Sequence, residues 1–122
     1  MAFAITWEPQ GATIQYRGRI TFQEFMEAVL TIHAHPDYVA VKFVIHDMLG
    51  ATELNFDDLD MTAIVAHELG ARYTNPSVRP AVVSLDPTMA EKTRMFSALT
   101  QLDVGLYSSI QEARAHVAAR LP

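Results

Sequence analysis

The chain opens on alternation. Phe3, Ile5 and Trp7 are separated by Ala4, Thr6 and Glu8, the period of a half-buried strand. Pro9-Gln10-Gly11 supplies turn chemistry, and Ala12 to Arg17 alternates again, so the first two elements form a hairpin. The period then changes. Phe22, Phe25, Met26, Val29, Leu30 and His33 recur at helical spacing, and Pro36 stops the element. Thr21 and Glu24 have capping-box spacing, so the hydroxyl and the carboxylate can each serve an amide of the first turn.

Val39 to His46 is nearly all apolar, as in a strand inside a parallel sheet. A second helix begins near Asn55 or Asp57 and runs to about Tyr73. Its Leu59, Thr62, Ala66, Leu69 and Tyr73 read as a core stripe, which leaves Met61 and Ile64 turned away. Arg79-Pro80 leads into a strand from Ala81 to Leu85. Asp86-Pro87-Thr88 opens a third helix with Thr88 and Glu91 as a capping box, and Pro87 sits where a missing N–H does least harm. Val104 to Tyr107 is a short strand, and Ser109 and Glu112 cap a last helix with the stripe Ile110, Ala113, Val117 and Leu121.

Alternating strands and helices define a single α/β domain over residues 1–122, with a mixed, mainly parallel five-stranded sheet that opens with an antiparallel hairpin. Val41, Phe43 and Ile45 share one face of the central strand, and Ala40, Lys42, Val44 and His46 share the other. The first set is the more apolar, so the four helices are expected mostly on that face.

Composition narrows the function. The formal charge is −5 and the two lysines and seven arginines are scattered, which argues against a nucleic-acid partner. Cysteine is absent, which removes thiol catalysis and thiolate metal sites and favours a reducing, cytoplasmic setting. No secretory signal precedes Glu8 and Pro9, and every apolar stretch is interrupted well short of the ~20 residues a membrane span needs.

Candidate chemistry is thin. Five histidines include His33 and His35, His46 beside Asp47, and His67 beside Glu68, but no ligand spacing of a metal site, so no metal or cofactor is expected. Asp57, Asp58 and Asp60 suit a helix N-terminus through the dipole. Ser84, Ser97, Ser108 and Ser109 have no local base, and GxSxG, GxGxxG and phosphate-loop patterns are missing, so no enzyme activity is expected. The segment from Met48 to Phe56 stands out as a connection of about nine residues where ~2–6 is usual, and it is apolar for a loop. Met48, Leu54, Asn55 and Phe56, joined by Met61 and Ile64, form the candidate partner- or ligand-binding edge.

The Gly11 hairpin, the Gly18-Arg19-Ile20-Thr21 lead into the first helix, the central strand ending at Asp47, Arg79-Pro80-Ala81-Val82-Val83 and the closing helix from Ser109 to Val117 together resemble the STAS domains. More narrowly they resemble the SpoIIAA-like group, also described as STAS/Sec14 domain proteins. The resemblance covers essentially the whole chain. It implies helices largely on one face and a non-enzymatic role, binding a protein partner or a second copy as a homodimer. The alternative it implies is a carrier or sensor of an apolar, lipid-like molecule. Antagonists of this type carry a phosphorylatable serine soon after the aspartate that Asp47 matches. Here residues 48–60 contain no serine, Thr52 is the only hydroxyl before the helix, and Asp57 and Asp58 would repel a phosphate there, which counts against a phosphoswitch.

Overall fold

The computed structural model describes residues 2–119. Its strands are β1 (Phe3–Glu8), β2 (Gly11–Thr21), β3 (Phe43–Asn55), β4 (Arg79–Val83) and β5 (Gly105–Tyr107). Its helices are α1 (Phe22–His33), α2 (Asp58–Thr74), α3 (Pro87–Thr100) and α4 (Ile110–Ala119), with a 3₁₀ turn at Tyr38–Ala40. The sheet runs in the order β1-β2-β3-β4-β5; β1 pairs antiparallel with β2, and the remaining pairs are parallel. Among the described residues, no helix is long and apolar enough to cross a membrane.

Three successive parallel crossovers of one hand place α1, α2 and α3 in one layer. That layer covers Ala12, Ile14, Tyr16, Val44 and Val82. α4 lies on the opposite face, where Ala113 and Val117 pack against Phe43, Ile45, Ala81 and Val83. One dominant helical layer was expected and is found, but on the face of Val44 and His46 rather than that of Phe43 and Ile45. Register explains the reversal. Ile14 stands opposite His46 and Ala12 opposite Val44, so the buried side chains of the hairpin continue the His46 face. On the α4 face the hairpin offers Thr13, and Glu8 there receives a paired contact from Arg114 at 2.6 and 2.9 Å.

The segment predicted as a loop after Asp47 is strand. β3 continues to Asn55 beside β2, which itself runs on to Thr21. Two register shifts, between Gln15 and Arg17 and between Gly18 and Arg19, let the 13 residues of β3 match the 11 of β2. Gly18 sits there at φ 69, a left-handed conformation that costs glycine little. A side chain on Gly50 would come within 2.9 Å of the Tyr16 carbonyl oxygen, so the bulged strands approach too closely for any other residue without a shift.

The caps largely follow the sequence. The Thr21 hydroxyl accepts from the Glu24 N–H at 3.1 Å and the Glu24 carboxylate accepts from the Thr21 N–H at 3.0 Å. Asp57 and Asp60 form the same reciprocal pair at the start of α2. At α3 the cap is Asp86, which accepts from the Thr88 N–H at 2.9 Å. Thr88 is therefore inside the first turn and pairs with no Glu91 box. Ser109 accepts from the Glu112 N–H at α4, while the expected stripe residue Leu121 lies outside the described residues. In α1, Phe25 and Val29 are buried as predicted and are joined by Ala28 and Ile32, whereas Leu30 is exposed.

Candidate functional site

The largest departure concerns α2. Met61 and Ile64 are 5% and 6% exposed, inside the domain with Val65. Leu59 and Tyr73, expected in the core, are 77% and 93% exposed, and Thr62, Ala66 and Leu69 are exposed with them. The helix has two apolar stripes, and periodicity alone does not say which one the sheet receives. The helix is capped by Asp57, and Met61 and Ile64 line one cavity with Phe56 and Met48.

The six residues predicted for a binding edge thus separate. Met48, Phe56, Met61 and Ile64 converge, but inward, on a cavity of about 70 Å³ between the sheet and the three-helix layer. Phe25, Val82, Met89 and Phe96 are among its other apolar walls, and His46, Glu68, Lys92 and Thr93 bring polar atoms to it. Ligand pockets usually have ~300–1,000 Å³, so this space suits a few water-sized groups and not a lipid chain. Leu54 is half-buried and Asn55 is exposed at the end of β3, paired with Ile20 and Thr21. Asp47 accepts from the Leu49 N–H at 3.1 Å.

Beside the cavity lie part-buried polar contacts that sequence reasoning registered only as scattered histidines. The Tyr16 hydroxyl and His46 Nδ1 are 3.0 Å apart. The rings of Tyr16, Phe25 and His46 stand about equally spaced, with centroid separations of 5.7 to 6.1 Å and nearly parallel planes. His33 Nδ1 meets His67 Nε2 at 2.8 Å across α1 and α2, and His33 Nε2 is 3.6 Å from the Glu68 carboxylate. One of the two imidazoles donates in that 2.8 Å contact, so both cannot present bare lone pairs to it.

Burial favours the neutral forms of Tyr16, His33, His46 and Glu68. It pushes His33 down to about 4, with the neighbouring His67 adding to the effect. It pushes His46 down to about 4, with His33 contributing. Burial raises Glu68 above the ordinary carboxylate range against the opposing pull of Arg72, and burial and then Glu68 push Tyr38 up to about 12. Among the described residues, no three His, Asp or Glu side chains are placed to hold a metal ion. The serines serve structure. Ser84 accepts from the Asp86 N–H, Ser97 from the Val104 N–H, and Ser108 and Ser109 donate to Glu112.

Asn75 was also missed. Buried at the end of α2, it donates to the Tyr38 and Val41 carbonyls at 2.8 and 2.6 Å and accepts from the Ser77 N–H and hydroxyl. It ties the helix to the turn that leads into β3. The only sequence signal was an Asn-Pro dipeptide, which marks a boundary but not a bond.

With its β1-β2-β3-β4-β5 order and three helices against one, the chain has the SpoIIAA-like fold of the STAS type. It is similar to the anti-sigma factor antagonist SpoIIAA in its unphosphorylated form, with a TM-score of 0.66 and 13% identity over 98% of this chain and 100% of that one. It is similar to the phosphorylated form of SpoIIAA, a Bacillus cell fate determinant, with a TM-score of 0.62 and 19% identity over 95% of this chain and 99% of that one. A Shewanella loihica PV-4 protein of uncharacterized function and SpoIIAA-like fold gives a TM-score of 0.61 and 12% identity, over 95% of this chain and 92% of that one. No protein-family profile and no curated protein sequence matches the chain.

Proposed function

We propose that the chain is a non-enzymatic, cytoplasmic regulatory module that binds a protein partner through the outward face of α2. The observation that carries this reading is the exposed stripe Leu59, Thr62, Ala66, Leu69 and Tyr73. Single exposed apolar side chains are ordinary, but a continuous helical stripe is the pattern that packs against another protein. The fold supports the reading, because SpoIIAA, which shares it, is an anti-sigma factor antagonist. Leu54 and Asn55, at the end of β3 just before α2, would border this surface. A second copy of the chain can occupy the same face.

A second reading draws on the cavity. Met48, Phe56, Met61 and Ile64 would enclose a small apolar ligand, with Glu68 or Lys92 engaging one polar atom. The Lys92 ammonium already donates to the Phe56 carbonyl at 3.1 Å, which leaves it two further protons. The volume restricts such a ligand to a few heavy atoms.

Native mass spectrometry of wild-type protein and Tyr73→Asp, both purified from the native host, separates the readings. The protein-binding reading expects a bound polypeptide on the wild type and its loss from the variant. A retained small molecule that survives Tyr73→Asp and is lost in Met61→Trp would favour the cavity. A bare monomer in both samples would overturn the protein-binding reading.

A further inference from the structure

α2 carries a seam that its own domain does not use. Leu59, Ala66 and Tyr73 are spaced seven apart, and Thr62 and Leu69 follow the first two by three. All five are exposed. This is the a/d spacing of a helix that meets a second helix along its length, since a mean period of 3.5 keeps the same edge turned toward the partner.

The two ends of the seam are equidistant from its middle. Large residues, Leu59 and Tyr73, stand at the two ends, and the smallest, Ala66, stands at the centre, with Thr62 and Leu69 between. Ala63 and Gly70 flank that centre, and a side chain added at Gly70 would meet nothing within 4 Å. Two helices crossing there can approach closely. A two-fold interface requires that where one residue contacts another, the reverse contact also forms. An antiparallel second copy centred on Ala66 satisfies this. Tyr73 covers Leu59 of the other copy, and Leu69 lies beside Thr62 of the other copy, twice over.

Charge selects the same direction. Asp58, exposed in the first turn of α2, and Arg72, half-buried in the last with its Nε inside the domain, each immediately precede an end residue of the seam and so lie on the same flank. Antiparallel pairing sets Asp58 of each copy near Arg72 of the other, and it opposes the two helix dipoles. Parallel pairing would gather Asp57, Asp58 and Asp60 of both copies at one end.

We infer that α2 is a homodimerisation helix that packs antiparallel against α2 of a second copy, with the two-fold axis at Ala66. This rests on the protein-binding reading and names the partner. One helix pair gives an interface at the small end of the range, below ~1,200 Å² in total, so the dimer dissociates on dilution.

The absence of cysteine makes the test direct. Under mild oxidation Ala66→Cys should cross-link to a dimer, because residue 66 faces its own copy across the axis. Leu59→Cys alone should not cross-link, and a mixture of Leu59→Cys and Tyr73→Cys should give the mixed dimer. Light scattering over a dilution series should show a monomer–dimer equilibrium. Ala66→Glu, exposed and without effect on melting, should weaken that equilibrium ~10-fold or more by setting two carboxylates together. Cross-linking of Leu59→Cys to itself, or no cross-link at Ala66→Cys, overturns the antiparallel pairing. A wild type that stays monomeric at every concentration overturns the dimer. A different polypeptide bound in the host and lost with Tyr73→Asp, on a chain that never self-associates, would overturn this inference while the protein-binding reading stands.

Discussion

Replacing Ile64 by glutamate, with Tyr73→Glu as its control, tests which face of α2 is inside. Ile64 lies in the wall of the apolar cavity and is 6% exposed. Removing its buried side chain forfeits about 2–3 kcal/mol of hydrophobic burial. The new carboxyl group must then either ionise in an apolar wall beside Glu68 or stay protonated. Keeping a carboxyl of ordinary pKa near 4.3 neutral at pH 7 costs about 3–4 kcal/mol at ~1.4 kcal/mol per unit. The sum, about 5–7 kcal/mol, matches the low end of total domain stability, so the variant should be largely unfolded at neutral pH. The sign with pH follows from linkage. The folded pKa is raised, so stability is lost as pH rises above ~4.3, and the variant should recover part of its deficit under mild acid. Tyr73 is 93% exposed, and Tyr73→Glu should stay within about 0.5 kcal/mol of wild type. Urea denaturation followed by circular dichroism reads both. An Ile64→Glu protein that unfolds at nearly the wild-type midpoint, or a Tyr73→Glu protein that collapses, would mean that α2 is rotated from the orientation described.

The wild type has its own pH signature. His33 and His46 stay neutral in the folded state down to about 4, while their unfolded counterparts bind protons near 6.5, so stability should fall as pH drops between those values. The slope is at most about 1.4 kcal/mol per pH unit per histidine, modified by the electrostatic influence of His33 on His46 and opposed above ~4.5 by Glu68, whose raised pKa has the contrary sign. NMR titration of the two imidazoles checks it, and a midpoint above 6 for either would contradict the burial argument. Asn75→Ala should cost about 2–3 kcal/mol, because the Val41 carbonyl loses its donor, whereas the Tyr38 carbonyl keeps the Val41 N–H; chemical denaturation with an unchanged midpoint would refute it. Arg114→Ala should cost under ~1 kcal/mol and less still at high salt, since the guanidinium is nearly half exposed despite its paired contact with Glu8; thermal melting at two ionic strengths measures it.

What was legible in the sequence follows from how local each signal is. Caps at Thr21 and Asp57 involve residues three apart and need no knowledge of the rest of the chain. Strand and helix order follows from the switch between periods of two and 3.6. The face of the sheet was not legible, because it depends on register. Ile14 opposite His46 rather than Ile45 is a property of two strands separated by a helix, and a one-residue slip exchanges the faces. The length of β3 was hidden for the same reason. Met48 to Phe56 reads as a loop until β2, with its own bulge at Gly18, is placed beside it. The network of Tyr16, His33, His46 and His67 joins positions as many as 34 apart in the chain, and nothing in their spacing announces the contacts.

α2 is the element where this reasoning fails most informatively. A helix whose only duty is to cover a sheet has one apolar stripe, and the periodic reading then identifies its buried face. Here Met61, Ile64 and Val65 satisfy the sheet, and Leu59, Ala66, Leu69 and Tyr73 remain as a second stripe with a better heptad than the first. Choosing the more regular stripe as the core is the sound choice for a helix with a single task. It goes wrong when the more regular stripe has been shaped for something other than the domain's own sheet. Local rules that agree along most of a chain and conflict at one element mark that element as serving a second purpose. The proposed pairing with a second α2 would supply that purpose, because a helical partner favours a period of 3.5, whereas the sheet beneath α2 accepts the irregular spacing of Met61, Ile64 and Val65.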